Sequence, residues 1–228
     1  MTALDSQSPA RRRFDAVVFD LDGVLVDSEP WWHETRLALA AEHGLTWTED
    51  DSRAVMGPNS LGWARIMRER RAFPYTDEGL VAVVVDRLVA RYAREPSPVI
   101  AGAADAVRRI AATLPVAIAS SSHPRVIEAA VDALGLHGVF SRIVSSDEVV
   151  HGKPAPDVYL LAAARLGVEP RRCLVVEDSY NGVRAGRAAG MAVALVPSVL
   201  VPPAPGTHGL ASGVVARLAD LDPATFSA

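Results

Sequence analysis

Lysine is almost missing from this chain. Of 23 basic residues in 228 positions, one is lysine, Lys153, and the rest are arginine. Cysteine occurs once, at Cys173, so neither an intrachain disulfide nor a cysteine-rich metal site can form. A lone thiol suits a reducing cytoplasm, and Cys173 reads as a small buried strand residue. A basic excess is also lacking: net charge is −4 and the isoelectric point is near 5.9. Binding to a phosphate backbone needs a basic surface, so nucleic acid is not an expected partner. Long apolar runs are missing too. Leu80 to Val85 falls far short of the ~20 residues that span a bilayer, so no membrane association is expected. Arg11–Arg13 precedes an apolar run that Asp20 interrupts, which is too short for a secretory signal, and residues 1–13 read as a polar tail. No internal repeat or low-complexity tract occurs, and nothing marks an obligate protein partner.

What is present is an ordinary globular composition, 50% hydrophobic and 22% charged. The length fits one large domain with a smaller insert.

Phe14 to Phe19 is short, apolar and β-branched, so it reads as a buried strand ending at Asp20–Leu21–Asp22–Gly23. From Ser28 to Glu95 the signals are helical. Ser28–Glu29–Pro30 starts a helix over 31–43 that ends at Gly44. Thr48–Asp51 resembles a capping box. Asn59–Ser60 and Thr76–Asp77–Glu78 open two more helices, through Arg71 and Arg94. Glu95–Pro98 is a linker signal. After it, helical and strand patterns alternate, with strands at 116–119, 143–145, 173–176 and 192–196. That alternation predicts an α/β fold: a Rossmann-like, doubly wound parallel sheet with an inserted α-helical segment. The expected core is 14–27 with 96–228, and the expected helical insert is 28–95.

Ligands of such sheets bind at the carboxyl ends of the strands. There the chain places Asp20 and Asp22, then Ser120, Ser121 and Ser122, then Lys153, then Glu177 and Asp178. Several carboxylates at one edge repel one another unless a cation lies between them, and an oxygen-only donor set favours a hard ion such as Mg²⁺. Lysine and serine suit a phosphoryl group.

The segment Asp20–Leu21–Asp22–Gly23–Val24 through Glu29 resembles the first motif of the haloacid dehalogenase superfamily. Ala119–Ser122, Gly152–Asp157 and Glu177–Ser179 with Asn181–Gly182 resemble the other three, in order, over about residues 14–200. This resemblance implies a phosphatase, with the helical insert 28–95 as an α-helical cap over the core. It assigns Asp20 as nucleophile, Asp22 as general acid/base, Ser120 as a phosphoryl contact and Lys153 as charge neutraliser. It assigns Asp20, the Asp22 carbonyl, Asp178 and Glu177 (directly or through water) to the Mg²⁺ site. The branch is that of the β-phosphoglucomutases and hexose-phosphate phosphatases. The substrate implied is a small phosphorylated metabolite, a sugar or polyol phosphate, with a sugar phosphomutase and a catalytically silent binding module as alternatives.

For the substrate side, the expected contacts are Ser121, Ser122, His123, Gly57, Asn59 and Trp32. All four tryptophans lie in the expected cap, where packing accounts for most of them. His33 is a lesser candidate for proton transfer. Pro58 stands where the mutase branch often has an arginine, which weakens a clamp on a second phosphate, and Arg87 or Arg91 are the residues considered as compensation. The absence of lysine in 28–95 disfavours a Schiff-base mechanism.

Overall fold

The computed structural model describes residues 14–198 and 202–226. The expected polar tail, 1–13, lies outside them. Six strands form one sheet in the order β3-β2-β1-β4-β5-β6, every neighbouring pair parallel. They are β1 (Ala16–Phe19), β2 (Val116–Ser120), β3 (Arg142–Ser145), β4 (Cys173–Glu177), β5 (Ala192–Leu195) and β6 (Gly213–Val214). Alternation along each strand sends side chains to opposite faces. Val17, Phe19, Ile118, Leu174 and Val176 pack under α5 (Ala103–Ala111) and α6 (Pro124–Ala133). Ala16, Val18, Ala117, Cys173 and Val175 pack under α7 (Asp157–Leu166) and α8 (Tyr180–Ala188). The sheet is therefore buried on both faces and reads as continuous apolar runs, the mark of a parallel sheet. Cys173 is buried and free, as its strand position predicts.

Between β1 and α5 come four helices and no strand: α1 (Glu29–Glu42), α2 (Glu49–Ala54), α3 (Ser60–Arg70) and α4 (Asp77–Arg94). Their starts follow the capping residues. Thr48 and Asp51 form a reciprocal capping box, Asn59 accepts from the Gly62 N–H, and Thr76 accepts from the Gly79 N–H. The valine-rich α4 buries Leu80, Val81, Val84, Val85 and Leu88 on one stripe, so burial outweighs the weak helix propensity of valine. Helices α1, α3 and α4 share a core with all four tryptophans in it; Trp47 and Val55 join it from either side of α2, and Val126 of α6 from the sheet side. Among the described residues no helix is long and apolar enough to cross a membrane.

The topological switch lies at β1. The chain builds outward to β2 and β3 on one side, then returns to β4 and β5 on the other. The crevice at the carboxyl ends of β1, β2 and β4 is where such a sheet takes its ligand.

Candidate active site

A cavity of about 510 Å³ opens at that crevice, and α1 and the α2–α3 loop form its far wall. Its lining includes Asp20, Asp22, Ser121, Ser122, Lys153 and Asp178, side chains that four separate segments deliver to one place.

Asp20 follows β1 directly. Its Oδ1 accepts from the Lys153 Nζ at 2.8 Å. The same ammonium donates to the Glu177 Oε1 at 2.7 Å and lies 4.8 Å from the centre of the Tyr159 ring. Burial lifts the Asp20 carboxyl to about 7; Lys153 opposes the rise, and the charges of Glu177 and Asp22 add to it. Burial alone would lower the Lys153 amine, but Asp20 and Glu177 overcome it and hold the amine above its ordinary value. The Lys153–Pro154 bond is cis.

Two hydroxyls fix the Asp22 carboxylate. Ser122 donates to its Oδ2 at 2.7 Å, and Ser28 donates to its Oδ1. Ser28 thus turns away from α1, where its side chain makes no cap hydrogen bond.

Asp20, Glu177 and Asp178 each offer a carboxylate oxygen, all within 4.8 Å of one another. Burial, and then the charges of Glu177 and Asp20, push Asp178 well above the usual carboxylate range. Gly23 sits at φ +82°, and a Cβ there would stand 2.0 Å from the Asp178 Oδ2, so the glycine makes room for this carboxylate. Glu177 is different. Its Oε1 accepts from Lys153 and the Tyr159 hydroxyl, and its Oε2 accepts from the backbone N–H groups of Asp178 and Ser179 and the Ser179 hydroxyl. Burial works to raise it, but Lys153 and these donors hold it below the ordinary range. A carboxylate has about four lone-pair positions, so five donors commit Glu177 to its protein partners, while Asp20 and Asp178 retain unclaimed oxygens. The donor set fits a hard divalent cation: buried, oxygen-only and short of positive charge.

Three expected contacts are placed differently. Ser120 is fully buried, and its Oγ accepts the Ser122 N–H at 3.0 Å; Ser121 and Ser122 occupy the lining instead. His123 is the N-cap of α6, its Nδ1 accepting the Arg125 N–H, and it does not line the cavity. Asn59 caps α3 and is likewise absent from the lining. In both of the latter the ring or amide is taken up by a helix start. Gly57 does line the cavity, and its carbonyl accepts from the Ser121 hydroxyl at 3.1 Å. Trp32 lines it as well, beside Trp63. His33 pairs with Ser52 at 2.8 Å, Arg87 with Glu42, and Arg91 with Glu34 and Glu95, all outside the cavity.

Arg36 stands outside the contacts expected from the sequence, yet it lines the cavity. Burial lowers its guanidinium to about 10, against the opposing pull of Glu29 and Asp22. It faces the cavity from α1 together with Glu29, whose carboxyl burial raises to about 7 against the pull of Arg36.

The family profile of haloacid dehalogenase-like hydrolases matches residues 14–190. This chain belongs to that family. It is 32% identical over 181 residues to the fructose-1-phosphate phosphatase YqaB of Escherichia coli, covering 78% of this chain and 94% of that protein. It is 34% identical over 198 residues to hexitol phosphatase B of the same species, covering 82% and 85%. Among solved structures, CbbY from Rhodobacter sphaeroides in complex with phosphate superposes with a TM-score of 0.80 at 25% identity, covering 91% of this chain and 96% of that one. The hydrolase is thus an enzyme with the doubly wound core expected from its strand pattern.

Proposed function

We propose that this hydrolase is a Mg²⁺-dependent phosphatase of a small sugar or polyol phosphate, working through an aspartyl-phosphate on Asp20. The observation that carries the reading is the grouping of Asp20, Lys153 and Asp178 in one cavity, with Asp22 two residues from Asp20. The names of the two relatives support the substrate class.

Asp20 and Asp178 would hold the ion, with the Asp22 backbone carbonyl, while Glu177 stands behind them and fixes Lys153. When bound, Mg²⁺ would offset the crowded carboxylates and the charge on the phosphoryl oxygens. Lys153 keeps one Asp20 oxygen in place, so the other is left to attack phosphorus. The Asp20 O–P bond forms as the ester P–O bond breaks, and Asp22, entering this step as the carboxylic acid, gives its proton to the leaving oxygen and becomes the carboxylate. Asp22 then takes a proton from water as that water's oxygen bonds to phosphorus and the Asp20 O–P bond breaks, releasing inorganic phosphate. The hydroxyls of Ser28 and Ser122 hold Asp22 in one orientation for both transfers. We take 28–95 as the cap domain and 14–27 with 96–228 as the core domain; the cap covers the site and keeps bulk water out. The setting is the cytoplasm, and the partner is a small phosphorylated substrate.

The test is phosphate release from a panel of sugar, polyol and nucleotide monophosphates, with Mg²⁺ and with chelator, alongside β-glucose 1-phosphate followed for glucose 6-phosphate. Metal-dependent release concentrated on sugars or polyols is expected. Glucose 6-phosphate without free phosphate would establish a mutase instead, and metal or phosphate binding without turnover would establish a silent binding module.

A further inference from the structure

Arg36 is 4% exposed, yet no hydrogen bond or ion pair holds it among the described residues, and its Nε is a buried donor without a partner. Its Cζ lies 4.8 Å from the centre of the Trp32 ring and 5.5 Å from that of Trp63, and the two indoles meet edge to face. Other buried or half-buried arginines of this helical segment are paired. Arg91 has Glu34 and Glu95, and Arg71 has Asp51. A buried guanidinium without a hydrogen-bond acceptor is costly unless something supplies one. The indole faces offset part of that cost but accept no strong hydrogen bond. Its forked donors belong to the same cavity as Asp20.

Glu29 shares this wall. It lies two helical turns before Arg36, hence on the same face of α1, and helical side chains lean towards the N-terminus, so Arg36 leans towards Glu29. The two are not in ion-pair contact, and Glu29 has no hydrogen-bond partner among the described residues either. The wall therefore offers donors and an acceptor side by side, against an aromatic platform. A hydroxyl group can accept from Arg36 and donate to Glu29 at once. A second phosphate or carboxylate cannot, and it would meet a lining that already carries Asp22, Asp27 and Glu29.

We propose that Arg36, with Glu29 beside it, is a specificity-determining residue that reads the hydroxyl-bearing end of the substrate, the end remote from the phosphoryl group. The inference rests on the phosphatase reading above and assigns the polyol end of the substrate to this wall.

The experiment measures kcat/KM of the full chain for two probes, D-glucitol 6-phosphate and 2-hydroxyethyl phosphate, which differ in the length of the hydroxyl-bearing chain. Wild type is compared with Arg36→Met, which keeps the apolar stem between the indoles, and Arg36→Lys, which keeps the charge. The readout is the preference for the long probe over the short one. It is expected to fall about 10- to 100-fold in Arg36→Met, mostly through KM, and less in Arg36→Lys. An unchanged preference in a folded Arg36→Met protein would overturn the proposal, whatever its overall rate. So would a wild-type enzyme that does not distinguish the two probes while hydrolysing both. Wild-type enzyme that releases phosphate from neither of these probes nor any of the wider panel would instead overturn the phosphatase reading itself. Should Arg36→Met fail to fold, Glu29→Gln reads the same preference, and no fall there would overturn the proposal.

Discussion

The Lys153 Nζ and the Asp20 Oδ1, 133 residues apart in sequence, stand 2.8 Å apart in the fold. A chain that uses arginine at every other basic position keeps an ammonium here. The contact explains the exception. The group must reach Asp20 and Glu177 together while 7% exposed, with the Tyr159 ring at its back. A compact ammonium fits that space, whereas a planar guanidinium is wider and forked. Lys153→Arg is therefore expected to lose at least about 10²-fold in kcat while remaining folded by circular dichroism. Near wild-type turnover in that variant would contradict the role given to Lys153.

Asp20→Asn removes the attacking oxygen and one of four crowded carboxylates. Turnover is expected to drop by at least about 10³-fold, with the thermal midpoint unchanged or raised. Full activity in Asp20→Asn would end the aspartyl-phosphate mechanism.

Metal dependence should appear in stability as well as rate. Mg²⁺ is expected to raise the melting temperature of the wild type, and chelator to reverse it, since an ion bound only to the folded state stabilises it. Gly23→Ala should lose this response, because the new Cβ would have to displace the Asp178 carboxylate and Gly23 sits at positive φ. A wild-type rise preserved in Gly23→Ala would show that Asp178 is not a ligand.

Asp51 anchors the start of α2. It is wholly buried and accepts from Arg70, Arg71 and the Thr48 backbone. Burial would raise its carboxyl, but these hydrogen bonds hold it well below the ordinary value. A depressed carboxyl contributes its full stability above its unfolded pKa of about 3.9 and loses it as the pH falls towards the folded value. Asp51→Asn is expected to cost about 2 kcal/mol at pH 7, a melting shift of about 5 °C. The gap between variant and wild type should narrow below about pH 4. A gap that stays constant from pH 7 to 3 would show that the Asp51 charge is not what stabilises α2.

The alternation of helices and strands after Pro98 sufficed to anticipate the parallel sheet, because each of its periods is local. The capping signals at Thr48, Asn59 and Thr76 were equally legible, since a cap is settled within four residues. Asn59 and His123 carry two readings in the sequence, as helix caps and as substrate contacts; in the fold the polar groups of both cap helices. Arg36 is hidden in the sequence for the converse reason. Its spacing from Trp32, one turn on the same face of α1, is plain in the sequence, but Trp63 comes from a different helix. Arg87 and Arg91 look like available cations in the sequence, but their acidic partners Glu42 and Glu34 lie 45 and 57 positions away and reveal themselves only in the folded chain.

The scarcity of lysine has a practical consequence. With a single side-chain amine, growth on isotope-labelled lysine would place one lysine reporter in the protein, and that reporter would lie in the candidate active site. Its signal would register the arrival of phosphate, metal or substrate without any engineered label.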